Sequence, residues 1–173
     1  MTVKDIFAKI AAHMVEGLMI HDQLSQIFCY LGLYGYERLH VKQYEEESAS
    51  YREIMREYIL SYDNILPACK VTNPDVIPSV IVNQARCELR GSTRKQLIEE
   101  CFCKWIEWES DTKNLYQKLY FELMEAKDVS SAAKLSDRIQ DVSDELIRAK
   151  DILLWLRSVD FDPIAISDTQ TIY

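Results

Sequence analysis

An all-α bundle of four main helices, with a long connection between the second and the third, is the fold the sequence predicts. Three observations carry it. Four long segments repeat apolar residues at spacings of three and four, short turns join these segments in two pairs, and Pro67, Pro74 and Pro78 all fall between the pairs, in residues 63 to 92. A short turn makes its two helices antiparallel neighbours, whereas a long middle connection can carry the chain across the end of a bundle.

The first helix is expected over residues 3 to 32. Thr2-Val-Lys-Asp5 has the form of a capping box, and Ile6, Ile10, Met14, Gly17, Leu24, Phe28 and Leu31 follow as a stripe. Gly32 and Gly35 interrupt the pattern, and Gly35 is expected to supply a positive φ at the turn. The second helix, 36 to 62, would carry Tyr44, Tyr51, Ile54, Tyr58 and Tyr62 on its inner side. Each proline of the connection disfavours helix at the residue before it, although Ser79 to Leu89 could form a short helix there.

Thr93-Arg-Lys-Gln96 fits a capping box opening the third helix, which would run to about Lys127. Asp128-Val-Ser-Ser131 reads as turn and cap. The fourth helix then follows through Ala132, Leu135, Ile139, Val142, Leu146, Ala149, Leu153 and Leu156, alternating steps of three and four as a bundle seam requires. Pro163 is expected to stop it, so residues 1 to 163 form the bundle domain and 164 to 173 a C-terminal tail of extended backbone.

Composition narrows the function classes. A net charge of −8, with acids on every helix, would repel nucleic-acid phosphates, so no nucleic-acid partner is expected. The longest uncharged apolar stretch, Ile27 to Tyr36, is too short to span a bilayer, so no membrane partner is expected. The five cysteines form an odd set with no secretory signal ahead of them, which predicts a reducing, cytoplasmic setting. Cys101 and Cys103, one residue apart on a helix, point about 200° from each other and read as separate thiols.

Dinuclear carboxylate bundles bring one Glu from each of two helices together with a Glu-x-x-His turn from each of the other two. Residues three apart share a helix face, so the carboxylate and the imidazole reach the same metal pair. Glu37-Arg-Leu-His40 matches that spacing but lies at a helix start. The polar residues that interrupt apolar stripes are His13, Glu16 and His21 on the first helix, Glu47 on the second and Glu109 on the third. Such residues are candidates because a buried lone carboxylate is costly unless paired or metal-bound. No nucleophile elbow or phosphate loop is present.

The stretch from Trp108 to Leu153 resembles the second helix pair of the ferritin and bacterioferritin group in length, turn position and texture. The resemblance places Glu109 at that family's third-helix metal glutamate, Gln23 near its first-helix glutamate, and Glu47-Ser-Ala-Ser50 near a Glu-x-x-His with serine for histidine. It also implies that the fourth helix, with Val142 inward and no Glu-x-x-His, lacks ligands on that face.

The expected function is therefore a non-enzymatic intracellular binding or assembly protein on a ferritin-like four-helix bundle without a complete ferroxidase centre, with no cofactor favoured. The alternative is a metal-binding ferritin-like protein, for iron storage or metal-dependent oxidation. It would hold iron or another divalent metal through some of His13, Glu16, His21, Glu47 and Glu109. Aromatic residues on more than one face of the third helix, and the apolar tail, point to self-association, most simply as a dimer, with a further protein partner possible.

Overall fold

The structure, a computed structural model, describes residues 1–66 and 91–170, without the side chains of Ala165 and Asp168. Among these residues are five helices: α1 (Val3–Tyr30), α2 (Tyr34–Tyr62), α3 (Gly91–Glu125), α4 (Val129–Ser158) and α5 (Pro163–Gln170). The first four are the expected bundle. Most of the predicted crossover, with its proposed short helix over 79–89, lies outside the described residues.

Local chemistry explains the ends. The Thr2 hydroxyl accepts from the Asp5 N–H at 3.2 Å, and the Asp5 carboxylate accepts from the Thr2 N–H at 3.1 Å, a reciprocal capping box. At the other end of α1 the glycine roles differ from expectation. Gly32 carries the positive φ, 74°, and the Leu33 N–H reaches back to the Phe28 carbonyl at 2.8 Å. Gly35 is instead the second residue of α2 and has no room for a side chain: a Cβ there would stand 2.4 Å from Cβ of Gln170. Asp128 caps α4 by accepting from the Ser131 N–H at 3.2 Å. No capping box forms at Thr93, because α3 already begins at Gly91 and the Gln96 amide donates forward to Glu100 at 2.8 Å.

Residues 163–170 form a helix, not the extended tail expected. Proline is well suited to a first helical position, where no N–H is needed, and the Asp162 carboxylate accepts from the Ile164 N–H at 2.9 Å. This short helix packs on the start of α2. Gly35 N–H donates to the Gln170 side chain at 3.0 Å, Tyr36 and Thr169 join through their hydroxyls, and Ile166 is buried.

The apolar core is in two parts, each drawing on all four long helices. One includes Leu24, Phe28, Tyr36, Phe102, Trp105 and Leu153; the other includes Ile10, Met14, Ile54, Tyr58, Leu119 and Leu135. Between them lies a polar layer containing His21, Gln43, Glu109 and Thr112, all buried. The inner face of α2 is correspondingly mixed. Tyr36, Leu39, His40, Gln43, Ile54 and Tyr58 are buried, while Tyr44 and Tyr62, expected inside, are exposed.

Candidate functional site in the polar layer

Each long helix contributes to this layer through residues one turn apart. On α3 the steps from Trp105 to Glu109, Thr112 and Tyr116 are four, three and four, so all four face inward, and all are buried. The Trp105 indole N–H donates to Glu109 Oε1 at 3.0 Å. His21 of α1 brings Nε2 to 3.8 Å from that same oxygen. Its Nδ1 meets Nδ1 of His40 on α2 at 3.1 Å, so one ring donates and the other accepts. His40 is wholly buried, stacked parallel to Phe28 with centroids 5.3 Å apart and edge-on to Trp105.

A cavity of about 540 Å³ opens beside these groups, between α2 and α4. Gln43, Glu47 and Ser50 line it from α2, Glu145, Arg138 and Val142 from α4, Tyr116 from α3 and His21 from α1. Below it the two helices are clamped by Arg138 to Glu53 at 3.1 Å and Lys134 to Glu57 at 2.9 Å.

Burial dominates the electrostatics. It pushes the Glu47 carboxyl up to about 7, with Arg138 opposing and Glu145 adding to the rise. It pushes Glu145 to about 7 as well, an effect partly offset by the Gln43 amide. Glu109 is raised well above the ordinary carboxylate range, first by burial and then by Glu145 and Glu47. The imidazoles move the other way: burial lowers His21 to about 4 and holds His40 well below its ordinary value, so both rings are neutral at pH 7. The approach of His21 to Glu109 is therefore not an ion pair, because the imidazole is uncharged. Several buried atoms around the cavity have no hydrogen-bond partner among the described residues: Glu47 Oε2, the Tyr116 hydroxyl and both polar atoms of the Gln43 amide.

Of the five residues singled out from sequence, the structure brings His21, Glu47 and Glu109 to this layer. His13 stacks on Trp108, centroids 4.2 Å apart, and its Nε2 lies 2.8 Å from the Thr112 hydroxyl. That hydroxyl already donates to the Trp108 carbonyl at 2.8 Å, so His13 is the donor to it. Glu16 stays with His13, 3.9 Å from Nδ1, and neither residue lines the cavity. Gln23 does not line it either; the α1 residue against Glu47 is Gly17, whose added Cβ would stand 3.5 Å from the Glu47 carboxyl carbon. Glu37 is half-buried and His40 belongs to the pair with His21.

Sequence reasoning missed Glu145, Gln43 and Tyr116. The face of α4 was expected to lack ligands; the structure places the Glu145 carboxyl, three residues past the inward Val142, in the lining of the cavity. Gln43 stands one turn before Glu47.

A dinuclear carboxylate set does not fit these residues. The helix pattern requires four carboxylates and two histidines. The layer instead offers Glu47, Glu109 and Glu145, with Ser50 three residues after Glu47 and Gly17 opposite it. As the side chains stand, no three of His, Cys, Asp and Glu among the described residues are gathered closely enough to hold an ion. The donor chemistry of a single hard cation fits better, since Glu47 Oε2 and Gln43 Oε1 are buried oxygens without partners. Among the described residues, no helix is long and apolar enough to cross a membrane.

No family model matches the sequence, and no curated protein matches it. Solved structures do resemble it in shape. The open-pore ferritin of Archaeoglobus fulgidus superposes with a TM-score of 0.75 at 17% identity, covering 97% of this chain and 93% of that one. A closed form engineered from the same ferritin gives 0.76 at 16% identity, over 99% and 94%. The apo-ferritin of Pseudo-nitzschia multiseries gives 0.73 at 14% identity, over 98% and 96%. At such identities the likeness concerns the fold, and the chain folds as a ferritin-like four-helix bundle.

Proposed function

We propose that this protein is a non-enzymatic binding and assembly protein that uses a ferritin-like scaffold without a dinuclear oxidase centre, and that the cavity between α2 and α4 takes one divalent cation. The observation that carries this reading is the set of buried, unpartnered oxygens of Glu47, Gln43 and Tyr116 at a cavity that Glu145 also lines, with the buried Glu109 in the layer beside it. Leaving such groups without partners costs about 1–3 kcal/mol each, so an occupant that satisfies them is favoured. Glu47 and Glu145, which line the cavity, would close on it from their present positions, with Glu109 beside them in the polar layer, and a bound cation would compensate their charge as they lose protons. Gly17 and Ser50, where a second ion would need ligands, support one ion instead of two.

Elemental analysis of protein purified without chelator, followed by calorimetric titration of the stripped protein, tests the reading. One divalent ion per chain is expected, with protons released on binding. Two irons per chain with oxidation of ferrous iron overturn it. A folded protein that takes up no divalent ion removes the cation and leaves the assembly role alone. That role would rest on a homo-oligomer, most simply a dimer, joined through the outer aromatic face of α3, where Phe121 is 65% exposed.

A further inference from the structure

Gln43 is a buried amide without a close partner. Its side chain is 4% exposed, and neither amide atom has a partner within hydrogen-bond distance among the described residues, although His40 and Glu145 lie near enough for the amide to shift both. An amide is both donor and acceptor, so neither need is fully met. Buried groups of this kind are normally explained by a water, an ion or a functional role. Gln43 lies one helical turn before Glu47 and lines the same cavity. Across that cavity, Gln43 is close enough to Glu145 for its amide to offset part of the rise in that carboxyl.

We propose that Gln43 is a metal ligand and selectivity residue of the cavity: its Oε1 coordinates the cation beside Glu47, while its NH₂ group steadies the Glu145 carboxylate. This rests on the reading of the cavity as a cation site. The assignment completes on α2 what Ser50 does not supply, with an oxygen in place of an imidazole. A neutral amide oxygen together with carboxylates makes a hard donor set, which suits manganese, magnesium or calcium better than it suits zinc. The amide also resolves its own two needs at once, since coordination takes the oxygen and the ionised Glu145 takes the N–H.

The test uses the full chain stripped of metal, with Mn²⁺ alone as the probe, followed by calorimetry and by the electron paramagnetic resonance signal of the bound ion. Gln43→Leu keeps the side chain's bulk and removes both polar atoms. It is expected to weaken Mn²⁺ binding about tenfold or more, the scale on which supporting interactions act at metal sites, and to leave Zn²⁺ binding less affected. In the metal-free protein it should raise the melting temperature, because an apolar group replaces an unsatisfied amide. A purely structural glutamine would lower it. Gln43→Asn, which withdraws the amide without removing it, provides the second variant and should also weaken Mn²⁺ binding.

If both variants bind Mn²⁺ like the parent while Glu47→Ala does not, the cation site stands and the role of Gln43 is refuted. If the parent itself binds no Mn²⁺, both the site and the ligand assignment fall.

Discussion

Gly35 offers the sharpest test of how the last helix is attached, because one substitution should change sign with the length of the chain. Alanine there would place its Cβ 2.4 Å from Cβ, 2.6 Å from the carbonyl oxygen and 2.8 Å from Cα of Gln170. Two of these atoms are backbone, so no rotamer relieves the clash and α5 must move. With it would go the burial of Ile166, worth about 1.5–3 kcal/mol. The hydrogen bonds from Gly35 and Tyr36 to α5 would be lost too, at about 0.5–1.5 kcal/mol net each. Against these stands the entropy of ordering the helix, about 1–2 kcal/mol per residue before its internal bonds are counted. Docking is therefore a modest net term, and it caps the damage, since α5 can release instead of straining the bundle. Gly35→Ala should destabilise the full chain by about 1–3 kcal/mol, the usual range for overpacking. In a chain ending at Asp162 the clash is absent. Alanine then gains only its helix preference over glycine, up to about 1 kcal/mol in the stabilising direction. Urea denaturation of the four proteins, with amide exchange over 163–170 as the local probe, decides the matter. The same sign in both backgrounds refutes the docking geometry.

Three further outcomes follow from the same structure. Glu47, Glu109 and Glu145 have raised pKa values, so the unfolded chain gives up protons the folded one retains, and their contribution to stability falls as pH rises from about 4.5 through 7, at about 1.4 kcal/mol per pH unit for each proton. His13, His21 and His40 have lowered values, so stability falls as pH drops from about 6.5 toward 4. The two sets oppose each other between these limits, and denaturation of the metal-free protein should show a near-level region from pH 4.5 to 6.5 with losses on both sides; a steep slope inside that window contradicts the assignments. Glu47→Ala and Glu109→Ala should each reduce cation occupancy about tenfold or more by calorimetry, and unchanged occupancy in both would place the ion elsewhere. Light scattering should report a dimer for the full chain, and for the chain ending at Asp162 if the contact lies on α3; a monomer in both removes the assembly proposal.

What could be read from the sequence depended on how apolar each inner face is. The α4 stripe from Ala132 to Leu156 was legible because almost every inward position is aliphatic. On α2 the inward face passes through His40, Gln43 and Glu47, so a search for apolar periodicity drifted to tyrosines, and Tyr44 and Tyr62 proved to be exposed. Glu145 escaped notice because a carboxylate in a charged stretch looks solvated. Only the packing of α2 against α4 shows that it shares a cavity with Glu47. Pro163 was read as a stop because helix interiors exclude proline, although the same fixed φ favours a first position once Asp162 is available as a cap. His13 stacks on Trp108, a contact between helices that no local pattern encodes, and does not line the cavity.

The division of the apolar core has a mechanical consequence. Because each half draws on all four long helices, neither half can be lost by peeling away one helix pair. The weak level runs across the bundle, where the polar layer interrupts the apolar packing, while the four helices run unbroken through it and tie the two halves together. Fluctuation at that level would splay the helices at mid-height and let water reach the unsatisfied polar groups, with an apolar cluster kept at either end. A molecule seated there would fasten the helices it touches at one height, adding by mass action about 2.7 kcal/mol at a hundredfold excess over its dissociation constant. The bundle's rigidity would then be adjustable from its middle.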